Sequence, residues 1–257
     1  MALLEACLSL LVMALTVVGI TACRRVALQA LPHRPQSQGF FLELSGAFQI
    51  AACTHELRLM AELPPQPHLA LALTYLLTAL HGLTLLGSLN NPSSSFQLFF
   101  KGRLTAKTWG LQTAAHFAGA LLANIYIRLI WTLGMAPVHS RALAESCTSP
   151  IQTTLANAFV LELLFSFLLH LTLLQVESMN HKTKSHLVAL LITTLVYEGG
   201  HLTGAIFNPA LAFSMHLSCF SEKFWNYILV YWIAPCIGSV LVVIAWDEIL
   251  PLIRREA

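Results

Sequence analysis

Two Asn-Pro pairs, Asn91-Pro92 and Asn208-Pro209, are the residues best suited to recognise a small polar molecule. Asn is a favoured N-cap, and Pro is favoured at the first helical position, where its missing N–H costs no hydrogen bond. Each pair therefore predicts a helix start, with the partial positive charge of a helix N-terminus behind an Asn amide. Two such amides facing each other can donate hydrogen bonds to one solute oxygen, while the positive helix ends repel cations and hydronium. This chemistry suits a filter for small neutral molecules.

The surroundings of the two pairs are repeated along the chain. A glutamate lies in an apolar segment 48 residues before the first Asn (Glu43, 91 − 43) and 46 residues before the second (Glu162, 208 − 162). A glycine precedes each Asn by four residues. The residues around the glutamates also align, Phe41-Leu42-Glu43-Leu44 with Val160-Leu161-Glu162-Leu163. The pattern predicts two homologous halves that meet at a polar site.

The composition places these halves in a membrane. Hydrophobic residues make up 56% of the 257 residues, charged residues make up 10%, and the mean hydropathy is +0.70. Because a soluble domain carries about 25% charged residues, we expect a membrane protein. The net charge of +2 is too small to indicate nucleic acid binding. The chain has no CxxC, HExxH, GxSxG or P-loop pattern, so we expect no catalytic residue, metal or cofactor.

Apolar segments of about 20 residues predict the helices that position the two pairs. The segments run near 38–60, 69–89, 109–134, 155–177, 186–200 and 226–250. The runs at 91–100 and 208–217 are too short to span a bilayer, so we expect half-helices that are buried in protein or line a wet cavity. A further apolar segment, 3–22, is either a signal peptide or an additional helix. Arg24 and Arg25 follow this segment instead of preceding it, which favours a retained helix.

This reading divides the chain into three regions. They are an N-terminal hydrophobic segment (1–30), a first repeat with the Asn-Pro-Ser half-helix (31–135) and a second repeat with the Asn-Pro-Ala half-helix (136–257). If residue 38 starts at the cytosolic face, ten basic residues lie on the cytosolic side: Arg24, Arg25, Arg34, Lys101, Arg103, Lys107, Lys182, Lys184, Arg254 and Arg255. Four lie opposite: Arg58, Arg128, Arg141 and Lys223. The excess agrees with the positive-inside rule, and the half-helices then enter from opposite faces.

On these residues the chain resembles the aquaporins, the major intrinsic protein family, over about residues 38–250. The resemblance rests on Glu43, Glu162, Asn91-Pro92-Ser93 and Thr203-Gly204-Ala205-Ile206-Phe207-Asn208-Pro209-Ala210. Asn-Pro-Ser in place of the family's Asn-Pro-Ala is typical of the superaquaporin branch, and segments 53–57 and 81–85 resemble its aquaporin-eleven group. The resemblance implies an all-α membrane protein with an aquaporin-like fold of two inverted repeats. That fold has six transmembrane helices plus two half-helices, here with an extra N-terminal hydrophobic helix.

The resemblance also implies the site. The pore residues would be Asn91, Pro92, Ser93, Asn208, Pro209 and Ala210. At the constriction, Leu211 stands where orthodox water channels have Arg, Val196 where they have His, and Leu71 at a third wall position. An apolar constriction no longer rejects larger molecules through tight polar contacts. We therefore expect modest water flux with tolerance for glycerol or hydrogen peroxide.

Several other residues have more than one interpretation. Glu43 and Glu162 are either proton carriers or acceptors for the backbone N–H groups of the loop beside each half-helix. We favour the second role, because that backbone otherwise lacks partners. The Ser93 hydroxyl can bond back to its half-helix or face the pore. Cys147 and Cys219 can pair with each other, bridge subunits or stay free.

The expected function is passive permeation of water and small neutral solutes. A weakly conducting scaffold or sensor with the same fold is the alternative, and a secondary transporter is less favoured because no carboxylate lies beside the Asn-Pro pairs. The expected partners are the lipid bilayer, the permeating solutes and further copies of the chain, as a tetramer or dimer. The resemblance alone suggests the endoplasmic reticulum membrane, with the plasma membrane as the other choice.

Overall fold

The computed structural model describes residues 2–61, 68–144, 149–219 and 223–249, which form helices joined by short loops. The helices are α1 (Ala2–Ala30), α2 (Pro35–Met60), α3 (His68–Thr84), α4 (Pro92–Phe100), α5 (Ala106–Thr132), α6 (Pro137–Ala144), α7 (Leu155–Gln175), α8 (His181–Thr203), α9 (Pro209–Met215), α10 (Phe224–Ile228) and α11 (Ala234–Ile244). A π turn, Leu229–Ile233, joins α10 and α11 into one continuous helix that reaches Glu248.

The helices fall into two halves of the same order: α2, α3, half-helix α4 and α5, then α7, α8, half-helix α9 and α10–α11. In each half the first and last helices cross at a glycine. A Cβ atom at Gly119 would collide with the carbonyl oxygen of Leu44, and one at Gly238 with that of Leu163. The glycines are 119 positions apart (238 − 119), as are the carbonyls (163 − 44). Small residues let membrane helices approach closely. The equal offsets mean that the first and last helices pack in the same way in both halves.

Four of the described helices are long and apolar enough to cross a membrane by themselves: Leu3–Ala30, Ala106–Thr132, Leu155–Gln175 and Phe224–Glu248. Helices α2 and α8, with 26 and 23 residues, reach about 39 and 35 Å at 1.5 Å per residue. They are more polar, and much of that polarity is buried, including Glu43, Gln49 and Glu56 of α2. Polar residues in membrane helices face the protein interior because their exposure to lipid is costly.

The N-terminal helix is longer than the expected segment 3–22. It continues to Ala30, past Arg24, whose side chain is turned towards the protein and is only 4% exposed. Helix α1 runs antiparallel to α2. Its buried face contributes Val12 and Met13 to two apolar clusters with residues of α2 and α5, and its other face exposes leucines to the surroundings. The division of the chain at residues 30 and 135 stays a prediction.

Candidate functional site

The two Asn-Pro pairs begin the two half-helices, and each Asn side chain caps its own helix. Oδ1 of Asn91 accepts hydrogen bonds from Ser93, from the backbone N–H at 2.9 Å and from the hydroxyl at 2.6 Å. Oδ1 of Asn208 accepts from the backbone N–H groups of Ala210 at 3.1 Å and Leu211 at 3.2 Å. The Ser93 hydroxyl therefore bonds back to the cap. Both Asn side chains are oriented with the amide nitrogen pointing away from the half-helix.

The two amide groups also link the halves to each other. Nδ2 of Asn91 donates to the carbonyl oxygen of Phe207 at 3.1 Å, and Nδ2 of Asn208 donates to that of Asn90 at 3.0 Å. An amide nitrogen carries two hydrogens, so each Asn keeps one N–H for another acceptor. The arrangement holds two donors side by side where the half-helices meet.

The carbonyl groups that accept these bonds lie in strained loops. Asn90 has φ of 59° and Phe207 has φ of 36°, and each loop begins with a glycine of positive φ, Gly87 at 82° and Gly204 at 84°. Positive φ is uncommon for residues other than glycine and costs about 1–3 kcal/mol. A bulky Phe in this region persists only when its surroundings fix the backbone.

Glu43 fixes the first loop. Its carboxylate accepts the backbone N–H of Leu89 at 2.9 Å and of Asn90 at 2.9 Å. Nε2 of His116 in α5 lies 2.8 Å from the same carboxylate oxygen, Oε2. Glu43 and His116 are both buried. The carboxylate thus joins helix α2, helix α5 and the loop that leads into the first half-helix.

Glu162 fixes the second loop in the same way. Oε2 accepts the backbone N–H of Phe207 at 2.6 Å, and Oε1 accepts the backbone N–H of Ile206 at 3.1 Å and the hydroxyl of Thr203 at 2.6 Å. The strained Phe207 is therefore held by the carboxylate of α7. Both glutamates therefore accept hydrogen bonds from the backbone N–H groups of the loop beside each half-helix, which is the role that the sequence favours for them.

One large cavity of about 1180 Å³ passes the two Asn side chains. Its lining includes Lys184 near the start of α8 and His201 near the end, so it extends along nearly the whole helix. The three constriction residues of the sequence analysis also line it, namely Leu71, Val196 and Leu211. Pro92, Ser93, Pro209 and Ala210 lie in the first turns of the half-helices, where they are buried outside the cavity lining.

A polar pair in the same lining was not foreseen from the sequence. The hydroxyl of Ser94 lies 3.0 Å from Nε2 of His170, and Nδ1 of His170 lies 2.7 Å from the carbonyl oxygen of Ser166. Nδ1 therefore carries the hydrogen, and Nε2 accepts from Ser94. Ser94 follows the first Asn-Pro-Ser as Leu211 follows the second Asn-Pro-Ala. This equivalence is the sequence signal that marks Ser94 as a lining residue.

The histidines within helices differ in their partners. His116 and His170 make interhelical contacts, whereas Nε2 of His81, which also lines the cavity, has no hydrogen-bond partner among the residues that the structure describes. In that same part of the chain, no group of three or more His, Cys, Asp or Glu side chains is placed to hold a metal ion. Cys219 is disulfide-bonded, and Cys147 lies outside the described residues.

Comparison with known proteins identifies this arrangement. Residues 67–246 match the family model described as Major intrinsic protein. The chain is 39% identical over 253 residues to Aquaporin-11 of Homo sapiens, with 98% of this chain and 93% of the relative covered. It is 34% identical over 213 residues to Putative aquaporin-12A of Homo sapiens, with 80% and 72% covered. The X-ray structure of the aquaglyceroporin from Plasmodium falciparum has the same fold, with a TM-score of 0.68 at 20% identity, over 86% of this chain and 100% of that chain.

These similarities confirm the resemblance to the superaquaporin branch and the expected all-α fold of two inverted repeats. The members of the family are multi-pass membrane proteins that act as channels for water and small solutes, not as enzymes. With two Asn-capped half-helices meeting beside one long cavity, this chain belongs to the major intrinsic protein, or aquaporin, family.

Proposed function

We propose that the protein is a passive channel that conducts water, glycerol and hydrogen peroxide across an intracellular membrane. One observation carries this proposal: the amides of Asn91 and Asn208 lie beside a cavity that extends along α8, and each keeps one N–H that no described residue accepts. A solute oxygen at this point can accept both hydrogens. Any molecule that passes must exchange its hydrogen bonds with water for bonds to these two amides.

The same geometry opposes ions and protons. The half-helices α4 and α9 direct their N-termini at the Asn side chains, and a helix N-terminus carries about half a positive charge. The two charges add where the caps meet, which raises the energy of a cation there. A water molecule whose oxygen accepts both amide hydrogens turns its own hydrogens away from the next water, so a chain of hydrogen bonds is interrupted at this point.

Selectivity among neutral solutes is set elsewhere. Leu71, Val196 and Leu211 place only apolar side chains at the proposed outer constriction, which therefore does not hold a solute by hydrogen bonds. The polar residues that line the cavity further inside include the two Asn residues and, on the cytosolic side, the pair Ser94 and His170. We infer that the outer constriction admits solutes by size and that the polar contacts further inside rank them.

Stopped-flow permeability of proteoliposomes tests the proposal. Water, glycerol and hydrogen peroxide are compared for the wild type, Asn208→Asp and Asn157→Asp. A carboxylate at 208 keeps the cap on Ala210 and Leu211 but has no N–H to donate, and its charge offsets the positive helix ends. We expect neutral-solute flux to fall several-fold and cation leak to rise. Asn157 is exposed at the first turn of α7, so the same substitution there leaves both fluxes unchanged.

Folded wild-type protein with no flux above empty vesicles for any of the three solutes contradicts the proposal. That result supports the alternative, a weakly conducting scaffold or sensor, for which the apolar Leu211 is the specific argument. Fractionation of cells that express the full chain, with markers for the endoplasmic reticulum and the plasma membrane, tests the proposed compartment. Crosslinking in membranes tests the proposed homo-oligomer, as a tetramer or a dimer.

A further inference from the structure

Arg24 is a charged residue buried inside the apolar helix α1. It is 4% exposed, and its guanidinium reaches two parts of the first repeat. Nη1 donates to the carbonyl oxygen of Leu42 at 2.6 Å and to the hydroxyl of Ser45 at 3.1 Å, both on α2. Nη2 donates to the carbonyl oxygen of Leu86 at 2.8 Å and to the hydroxyl of Ser88 at 3.3 Å. A charge at this depth is costly without such partners.

Leu86 and Ser88 belong to the loop between α3 and the first half-helix, which we call the first re-entrant loop (residues 85–91). A carbonyl group just beyond a helix C-terminus has no partner within that helix. The carbonyl of Leu86 therefore needs a donor from elsewhere. Arg24 of α1 is that donor.

The second repeat solves the same problem with a different residue. Thr203 is the counterpart of Leu86, because 203 − 86 equals the spacing of the two Asn caps, 208 − 91. The carbonyl oxygen of Thr203 accepts the hydroxyl of Tyr231 at 2.6 Å, and Tyr231 lies in the last helix of its own repeat. The two equivalent carbonyl groups thus accept hydrogen bonds from donors on non-equivalent helices, α1 for the first repeat and the last helix for the second.

The residue that corresponds to Tyr231 in the first repeat is Gln112 of α5, at the 119-residue offset of these helices (231 − 112). Within the described part of the chain, the donor to the Leu86 carbonyl is Arg24 and not Gln112. The first repeat therefore lacks a tyrosine that could complete its loop and depends on a helix outside the six-helix core.

We infer that α1 is a working part of the channel and that Arg24 is a positioning residue for the first re-entrant loop. Arg24 holds Leu86 and Ser88, and Glu43 holds the next two residues, Leu89 and Asn90. The next residue is the cap Asn91. The effect on permeation rests on the proposed function, whereas the placement of the loop does not.

An arginine suits this position better than a lysine. The planar guanidinium presents separate N–H groups in a fixed fork, and here the two halves of the fork serve different elements, α2 and the loop. A single ammonium group can reach one of them but cannot hold both in one geometry. The inference also predicts that segment 3–22 is retained, because it forms most of the helix that carries Arg24.

Hydrogen exchange with mass spectrometry on the full-length protein in lipid nanodiscs tests the inference. In Arg24→Met we expect the amides of residues 86–91 to exchange roughly tenfold faster or more, because the loop loses hydrogen bonds to a charged group. The amides of residues 203–207, the equivalent loop, should not change and serve as an internal control. Arg25→Met is the matched substitution at an exposed position and should leave both loops unchanged.

Arg24→Lys keeps the charge and should give an intermediate rate, which also preserves the test if the Met variant does not fold. Peptides that contain Arg24 should be recovered from the mature protein in cells. Unchanged exchange of residues 86–91 in both variants, or an equal increase in both loops, overturns the positioning role. Absence of Arg24 from the mature protein overturns it as well. If Arg24→Met shows a loop-selective increase in exchange but the wild type shows no solute flux, the result contradicts the proposed channel and supports the positioning role.

Discussion

The two membrane glutamates should respond differently to the same substitution, although they occupy equivalent positions. At Glu162 the donors are divided between both carboxylate oxygens: Oε1 serves Thr203 and Ile206, and Oε2 serves Phe207. In Glu162→Gln one oxygen becomes an NH₂ group, which cannot accept. If the remaining oxygen accepts from Thr203 and Ile206, the new NH₂ group faces the backbone N–H of Phe207, and this N–H then has no acceptor.

The magnitude follows from the group that loses its partner. A buried donor without an acceptor costs about 1–3 kcal/mol, and here the donor belongs to the residue whose φ of 36° most needs support. At Glu43 the donors converge on Oε2, which accepts from Leu89, Asn90 and His116, and Oε1 receives only a second bond from Leu89. A glutamine can place its oxygen there and keep all three partners.

We therefore expect Glu162→Gln to lower the free energy of unfolding by about 1–3 kcal/mol more than Glu43→Gln. Thermal unfolding of both variants in the same detergent, followed through tryptophan fluorescence, measures the difference. Proton flux into liposomes that contain a pH-sensitive dye is recorded in parallel. Equal midpoints for the two variants would refute the reasoning from donor placement. A loss of proton flux at an unchanged midpoint would instead support the proton-carrier role.

Three further predictions concern the constriction, the helix crossing and the disulfide. Leu211→Arg adds a large cation to the proposed constriction, so glycerol flux should fall several-fold relative to water flux, as measured by stopped flow. Gly119→Ala places a methyl group against a backbone carbonyl and should lower the unfolding midpoint, whereas Gly110→Ala, which meets open space, should leave it unchanged or raise it slightly. Because Cys7, Cys23, Cys53 and Cys236 are free and Cys219 is disulfide-bonded, we expect Cys147 to be its partner within the chain. Non-reducing peptide mapping checks this pair, and a crosslinked dimer of Cys219 would contradict it.

The sequence alone determined the features that depend on neighbouring residues. An Asn cap and a Pro at the first helical position act within three residues of each other, so the two half-helices could be read directly. The repeated glutamates and the apolar composition fixed the membrane class and the two-fold repeat. The length of α1 was underestimated, since an arginine after an apolar run normally marks the membrane surface.

The tertiary structure decided which side chains meet. Asn91 bonds a carbonyl 116 positions away, at Phe207, and Arg24 bonds one 62 positions away, at Leu86. Such contacts depend on where helices cross, and the crossings are set by close packing at Gly119 and its equivalent, which a local pattern does not specify. The pairing of Ser94 with His170 has the same origin. Local capping rules therefore predict the two Asn donors of the pore, whereas helix packing decides which residues hold these donors in position.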